Sequence, residues 1–309
     1  MKLIVTAFVF ILTTSFAKAQ TDAAIAISGN PIEMLFPEGK TKAFILSFDD
    51  GRTEDRQLVK LMNKYGLVGT FHLNSNKLGT SGYLTQEEIK QLFKGHEVSV
   101  HSANHPNLIS LSKIDVVYEI LEDRKKLERL IGYPVRGMAY PFGNTNDFVI
   151  DAIKGLGIEY ARTVGDTYNF SIPTDFLKWQ PTIHLFGKTN YIPNDTANDR
   201  KEMLQFYQVI NDFSSTKQIA ILDVWGHSWE MGNDQRKWDE TEKLFNLLAN
   251  KSTIYYTTQI DLVDYINAFH NLKFSVEKNM VYNQSSLTIY FKLNNKTYSV
   301  LPGKMLLLS

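Results

Sequence analysis

Lys42-Ala43-Phe44-Ile45-Leu46-Ser47-Phe48-Asp49-Asp50-Gly51 is an apolar run that ends in two carboxylates and a glycine. Ala43–Phe48 reads as a buried strand, because a short continuous apolar stretch with aromatic and branched residues suits a sheet covered on both faces. The polar end then marks where that strand leaves the sheet. Downstream the scheme repeats. Helices are expected over Glu54–Tyr65, from a Thr85 cap through Phe93, and over Leu111–Ile131, Asn146–Gly155, Trp238–Ala249 and Thr258–Phe269. Strands are expected over Leu67–Leu73, Glu97–Val100, Val135–Tyr140, Ile158–Ala161, Ile219–Trp225 and Thr253–Tyr256. Thr85 with Glu88 has the spacing of a capping box. The charges of the long third helix (Glu119, Glu122, Asp123, Arg124, Lys125, Lys126) read as a solvated outer face.

Strands alternating with helices imply a parallel sheet with helices outside. The fold class expected is therefore α/β, a distorted (β/α) barrel of parallel strands at 42–270. A small C-terminal β appendage at 271–309 follows, read from short strands at Phe274–Val276, Ser286–Leu293 and Thr297–Leu301. In such a barrel the C-terminal ends of the strands converge on one face. Four such ends carry chemistry: Asp49-Asp50-Gly51, His101-Ser102-Ala103-Asn104-His105, Tyr140-Pro141-Phe142-Gly143 and Trp225-Gly226-His227-Ser228-Trp229-Glu230. Residues far apart in the chain thus share a pocket.

The chain has 309 residues, with 33 Lys+Arg against 33 Asp+Glu, so no basic excess advertises a nucleic-acid partner. Residues 1–19 read as a secretory signal peptide. Met1-Lys2 carries the charge, Leu3–Phe16 is apolar, and Ala17-Lys18-Ala19 is the cleavage site. A polar leader, 20–41, would follow. The expected product is secreted or periplasmic, with no membrane span after cleavage. The sequence contains no cysteine, so neither a disulfide nor a lipidated Cys is available, and the core alone holds the domain together.

Asp50 with His101 and His105 is a ligand set that suits a divalent transition metal and leaves positions open. Zinc is the first expectation, and cobalt, nickel or manganese fit the same donors. Asp49 is then free to accept a proton. A backbone N–H at the Pro141-Phe142-Gly143 corner can face a developing oxyanion. His227, between Trp225 and Trp229, has the setting of a general acid. His184 is a further candidate for the cleft wall.

The order Ser-Phe-Asp-Asp-Gly, His-Ser-x-x-His-Pro, Tyr-Pro-Phe-Gly and a strand ending in His227 resembles the polysaccharide deacetylases of carbohydrate esterase family 4, over about Lys42 to Phe269. The resemblance implies removal of N- or O-acetyl groups from an acetylated glycan and a barrel of fewer than eight strands. It implies Asp49 as base, Asp50, His101 and His105 as metal ligands, the Phe142 N–H as oxyanion donor and His227 as acid. Tyr140, Pro141, Trp179, His184, Trp225 and Trp229 are the expected substrate contacts. Two positions depart from the family pattern. Where the family has an arginine paired with the base, this chain has Ala139, and Arg162 is the substitute favoured over Arg136. The Asp–Trp pair that orients the acid is matched only by Asp175 and Trp179. Hydrolysis of another amide on the same fold, such as a cyclic imide, and a non-catalytic glycan binder are the competing readings.

Overall fold

The computed structural model describes residues 24–25, 32–186 and 196–308. The expected signal peptide lies outside them. In chain order the first half contains β1 (Ala24–Ile25), β2 (Ile32–Leu35), β3 (Lys42–Asp50), α1 (Asp55–Lys64), β4 (Thr70–Leu73), α2 (Ile89–Leu92), β5 (Glu97–Val100), α3 (Lys113–Ile131), β6 (Gly137–Ala139), α4 (Asp147–Gly155) and β7 (Tyr160–Arg162). The second half contains β8 (Ile183–His184), α5 (Thr196–Ser215), β9 (Ala220–His227), α6 (Gln235–Leu248), β10 (Ile254–Tyr256), α7 (Gln259–His270), β11 (Lys273–Phe274), β12 (Met280–Tyr282), β13 (Ile289–Leu293), β14 (Lys296–Val300) and β15 (Met305–Leu307).

The central sheet runs β7-β6-β5-β4-β3-β9-β8. Its strands pair in parallel throughout, and β10 joins the N-terminal part of β3. The sheet curls into the expected distorted barrel, with eight strands rather than the fewer than eight that the resemblance implies. Period-two alternation along β3 divides its side chains between two surfaces. Phe44, Leu46 and Phe48 pack under the outer helices with Leu58, Val59 and Met62. Ala43 and Ile45 join a second cluster with Ile221 and Tyr160. The register sets Asp49 level with His72 on β4 and with His227 on β9.

Three local expectations are corrected. The helix expected from Thr85 is one turn, Ile89–Leu92, and Thr85 does not cap it. The Glu88 carboxylate is instead gripped by both nitrogens of the Arg56 fork at 2.7 and 2.8 Å, while still accepting the Thr85 N–H. The charged face of α3 is not wholly solvated: Glu119 and Asp123 are buried on the same stripe as Val116, Ile120 and Leu127. Several elements escaped the reading, among them β8, β12, β15 and the 20-residue α5, although Phe206, Val209, Ile210 and Phe213 supply α5 with an apolar stripe.

The leader expected to be merely polar contributes β2, which pairs with β13, and β14 completes that sheet's edge. Ile32, Met34 and Phe36 share one cluster with Ile289, Phe291, Val300 and the α7 residues Leu262, Ile266 and Phe269. The Tyr265 hydroxyl ties the pieces together, donating to Leu35 O at 2.6 Å and accepting from Tyr290 N at 3.0 Å. Leader and appendage therefore form one packed layer, continuous with Ala43 and Ile45 of the barrel.

Candidate active site and metal centre

Four residues at the strand ends take left-handed backbone angles that side chains disfavour: Asp50 (φ 85°), Ser102 (63°), His105 (61°) and Phe142 (60°). Each such angle costs about 1–3 kcal/mol and persists only where its surroundings enforce it. At Asp50 the consequence is direct. The turn frees its carboxylate from strand alternation, so two adjacent aspartates reach one cavity.

Oδ1 of Asp50 lies 3.7 Å from Nε2 of His101 and 3.7 Å from Nε2 of His105. These gaps exceed a hydrogen bond and leave room for an ion between the donors. The tautomer of His101 is fixed from behind, because its Nδ1 donates to the carbonyl of Ala139 at 2.8 Å and the Nε2 lone pair points at Asp50. The other oxygen of Asp50 accepts the indole N–H of Trp229 at 2.7 Å. The donor set is one carboxylate and two imidazoles around one gap, and it fits a divalent transition metal. His105 suits this role, since burial and the neighbouring His101 lower its pKa to about 4.

The loop that carries both histidines is held by residues the sequence reading assigned to solvent. Asp123 accepts the N–H of His101 at 2.9 Å with one oxygen and that of Ser75 at 2.7 Å with the other. Glu119 accepts the backbone and side-chain N–H groups of Asn104 at 2.8 and 2.7 Å. Asn74 donates to the carbonyls of His101 and Ser102. The signal for Glu119 and Asp123 was present in the sequence, in their three- and four-residue spacing from Val116, Ile120 and Leu127.

Asp49 is buried at the head of β3. Its Oδ1 accepts from Nδ1 of His72 at 3.0 Å and from the guanidinium of Arg162. Its Oδ2 faces the ligand group, 3.9 Å from Nε2 of His101. Burial opposes its ionisation, but Arg162, His101 and His72 outweigh it and hold the carboxyl well below its usual range. Arg162, fully buried, lies with its guanidinium 4.7 Å from the Trp225 ring centre. The alternative, Arg136, sits elsewhere and forks onto Asp264.

His227 ends β9, and its Nδ1 meets Oε1 of Glu230 at 3.0 Å. The second oxygen of Glu230 accepts the backbone N–H of His227 at 3.0 Å and lies 2.9 Å from Nε2 of His184. Burial alone would lower the pKa of His227, but Glu230, with Asp49 and Asp50 beyond it, raises it to about 9. The residue that orients His227 is thus Glu230, not the Asp175–Trp179 pair. Asp175 caps the turn at Leu177, and Trp179 packs between Tyr160 and Phe176. The three-residue spacing from His227 to Glu230 was the available signal.

The expected substrate contacts separate into two groups. Tyr140 is buried, with its hydroxyl donated to Leu177 O at 2.8 Å; Pro141 and Trp179 are buried as well. Trp225 stacks on His184 at 4.1 Å and gives its indole N–H to Asp166. These four are structural walls, and His184 joins them through Glu230. Trp229 is half-buried beside Asp50, 5.0 Å from the His227 ring. Phe142, 57% exposed, packs its ring 4.7 Å from that of His105. Trp229 and Phe142 are the aromatic side chains placed to meet a ligand.

Residues 37–161 match the polysaccharide deacetylase family. A chitin deacetylase from Pestalotiopsis sp is 25% identical over 43% of this chain and 45% of its own length. The peptidoglycan-N-acetylglucosamine deacetylase PgdA of Listeria monocytogenes is 30% identical over 40% of this chain and 26% of its own. The matched stretch thus spans less than half the length of these relatives. Among solved structures, a Mycobacterium smegmatis protein assigned to the polysaccharide deacetylases superposes with a TM-score of 0.59 at 13% identity, over 81% of this chain and 95% of that one. The CE4 domain of a xylanase from a Trinervitermes trinervoides hindgut metagenome gives 0.50 at 15%, over 74% and 92%. These two likenesses establish the shared fold.

Proposed function

We propose that this chain, matched to the polysaccharide deacetylases over residues 37–161, is an exported, metal-dependent hydrolase that removes acetyl groups from a glycan. One observation carries the reading. The open oxygen of Asp49, the Asp50–His101–His105 set and His227 lie together at the C-terminal ends of β3, β5 and β9. A divalent ion held by Asp50, His101 and His105, zinc by the donor chemistry, would supply Lewis acidity to the acyl oxygen and the attacking water.

The side chains divide the rest of the work. Asp49 cannot rotate away, because Arg162 and His72 hold Oδ1, so Oδ2 is left to accept the proton of water. The Phe142 N–H is assigned as donor to the negative charge that develops on the acyl oxygen. His227 holds its proton below about pH 9 and presents Nε2 to the departing nitrogen or oxygen, while Glu230 steadies the imidazolium. Attack at the carbonyl with protonation of the leaving group yields acetate and the free amine or hydroxyl. The exposed ring of Phe142 and the half-buried ring of Trp229 flank the site where a sugar would stack.

The N-terminal residues support export, and N-terminal sequencing of the cell-processed protein should begin near Gln20. The activity test is product analysis over a panel of acetylated glucosamine, muramyl and xylan oligomers plus a cyclic imide. Acetate from one or more of the saccharides is expected. Turnover of the imide alone would favour another amide as substrate, and binding without acetate would favour a glycan-binding protein.

A further inference from the structure

The inward faces of the central strands carry a polar column beneath the site. Thr70 and His72 alternate inward on β4, Glu97 and Ser99 on β5, and Tyr160 and Arg162 on β7, all buried. Neutral His72 has a single ring proton, since burial lowers its pKa to about 4 against the pull of Asp49. Its Nδ1 faces the Asp49 carboxylate at 3.0 Å, so the proton sits there and Nε2 carries a lone pair that needs a donor. The hydroxyl of Tyr160 lies 3.5 Å from that nitrogen. The same hydroxyl lies 2.7 Å from Oε1 of Glu97 and 3.0 Å from Oγ of Ser99.

A tyrosine has one proton to give. If Glu97 were a carboxylate, the Tyr160 proton would be drawn to Oε1 and Nε2 of His72 would be left bare. If Glu97 is a carboxylic acid, every group is satisfied. Oε2 of Glu97 already accepts the Thr70 hydroxyl at 2.8 Å and the Ile260 N–H at 3.0 Å, so an acid proton belongs on Oε1, facing Tyr160. Burial favours the neutral acid, and Asp261 nearby adds to that preference. The ring of Tyr160 is given its place by Gly137, where a Cβ would fall 2.1 Å from it.

We infer that Glu97, Tyr160 and His72 form a one-directional hydrogen-bond chain, started by a neutral carboxylic acid and ending on Oδ1 of Asp49. The chain fixes the rotation of that carboxylate from inside the barrel. The three are positioning residues, and their effect on turnover rests on the reading of Asp49 as the base.

The experiment has two arms. Without substrate, nitrogen-15 NMR of the His72 ring should show Nδ1 protonated and a hydrogen-bonded lone pair at Nε2, and Tyr160→Phe should shift the Nε2 signal alone. Infrared spectra near pH 6 should lose one carboxylic-acid band in Glu97→Gln, those of the other buried acids remaining. A His72 ring protonated at Nε2, or a band unchanged in Glu97→Gln, would overturn the chain. With substrate, Tyr160→Phe should lower kcat about tenfold at unchanged KM, the order of one hydrogen bond, whereas Glu97→Gln, which still offers an N–H to Tyr160, should stay within about threefold. An equal loss in both variants would overturn the directional role. A protein that shows the NMR and infrared signatures yet releases no acetate would leave the chain standing and remove the base from Asp49.

Discussion

Two clusters at the barrel mouth have the same composition, two histidines and one carboxylate, yet different spacing. In Asp50–His101–His105 the carboxylate oxygen stands 3.7 Å from each imidazole nitrogen. In His184–His227–Glu230 the corresponding separations are 2.9 and 3.0 Å. The first leaves a gap that an ion can bridge. The second is already closed by hydrogen bonds, with Glu230 also accepting a backbone N–H. The first spacing fits a metal, and the second fits a shared proton. Residue type alone does not separate them; backbone angle does, because the left-handed turns at Asp50 and His105 set the wider spacing.

The largest effect should come from the open cluster. His101→Ala should abolish stoichiometric metal uptake and lower activity by about a thousandfold or more, as loss of the Lewis acid implies. Metal analysis by mass spectrometry on dialysed protein checks the first, and acetate release the second. His184→Ala should leave the metal content untouched, and a second ion lost in that variant would dissolve the contrast between the clusters.

Glu230→Gln should act on the closed cluster. His227 is raised in the folded state, so its proton is present below about pH 9 and is lost above. Removing the carboxylate should move the alkaline fall of the kcat–pH profile to lower pH and reduce kcat about a hundredfold. The same sign applies to stability. The contribution of the His227–Glu230 pair is full below the ordinary histidine range and fades as pH rises through about 9. An unmoved alkaline limb would show that Glu230 does not govern the acid.

Arg162→Ala leaves the Asp49 carboxylate buried with only His72 on Oδ1. A loss of about 3 kcal/mol in chemical denaturation is expected for a buried pair stripped of one partner. The pH–rate profile should shift with it. The smallest effect is expected at Asp123→Asn. An amide accepts at one end only, so either Ser75 or His101 loses a backbone partner, and metal affinity should weaken about tenfold by calorimetric titration.

Much of this site was legible because its ligands sit at strand ends, where a polar residue after an apolar run is conspicuous. Asp49, Asp50, His101, His105 and His227 announce themselves in this way. Arg162 was found through a vacancy, the alanine at 139. What escaped lies where chemistry hides inside a periodic pattern. Glu119 and Asp123 belong to the buried stripe of α3, yet a dense run of charge on both sides disguises them as surface. His72, Glu97 and Tyr160 alternate inward on strands that read simply as buried, because an apolar exterior and a polar interior look alike in a short run. The aromatic residues misled in the other direction. Trp179, Tyr140 and Trp225 suggest a sugar platform but serve as packing, while Phe142, read for its backbone N–H, is the exposed ring. Part of the appendage was readable as strands, but the leader was not, because its pairing with β13 is long-range and leaves no local trace.

In the proposed mechanism one bound cation, held by Asp50, His101 and His105, makes this barrel an acyl hydrolase. Acetate release from an acetylated glucosamine oligomer, measured as prepared, after chelation and after zinc is restored, tests it most directly. Release should disappear with the chelator, return at one zinc per chain, and never return in Asp50→Ala. Release indifferent to chelation, or recovery in Asp50→Ala equal to that of the unaltered protein, would contradict it.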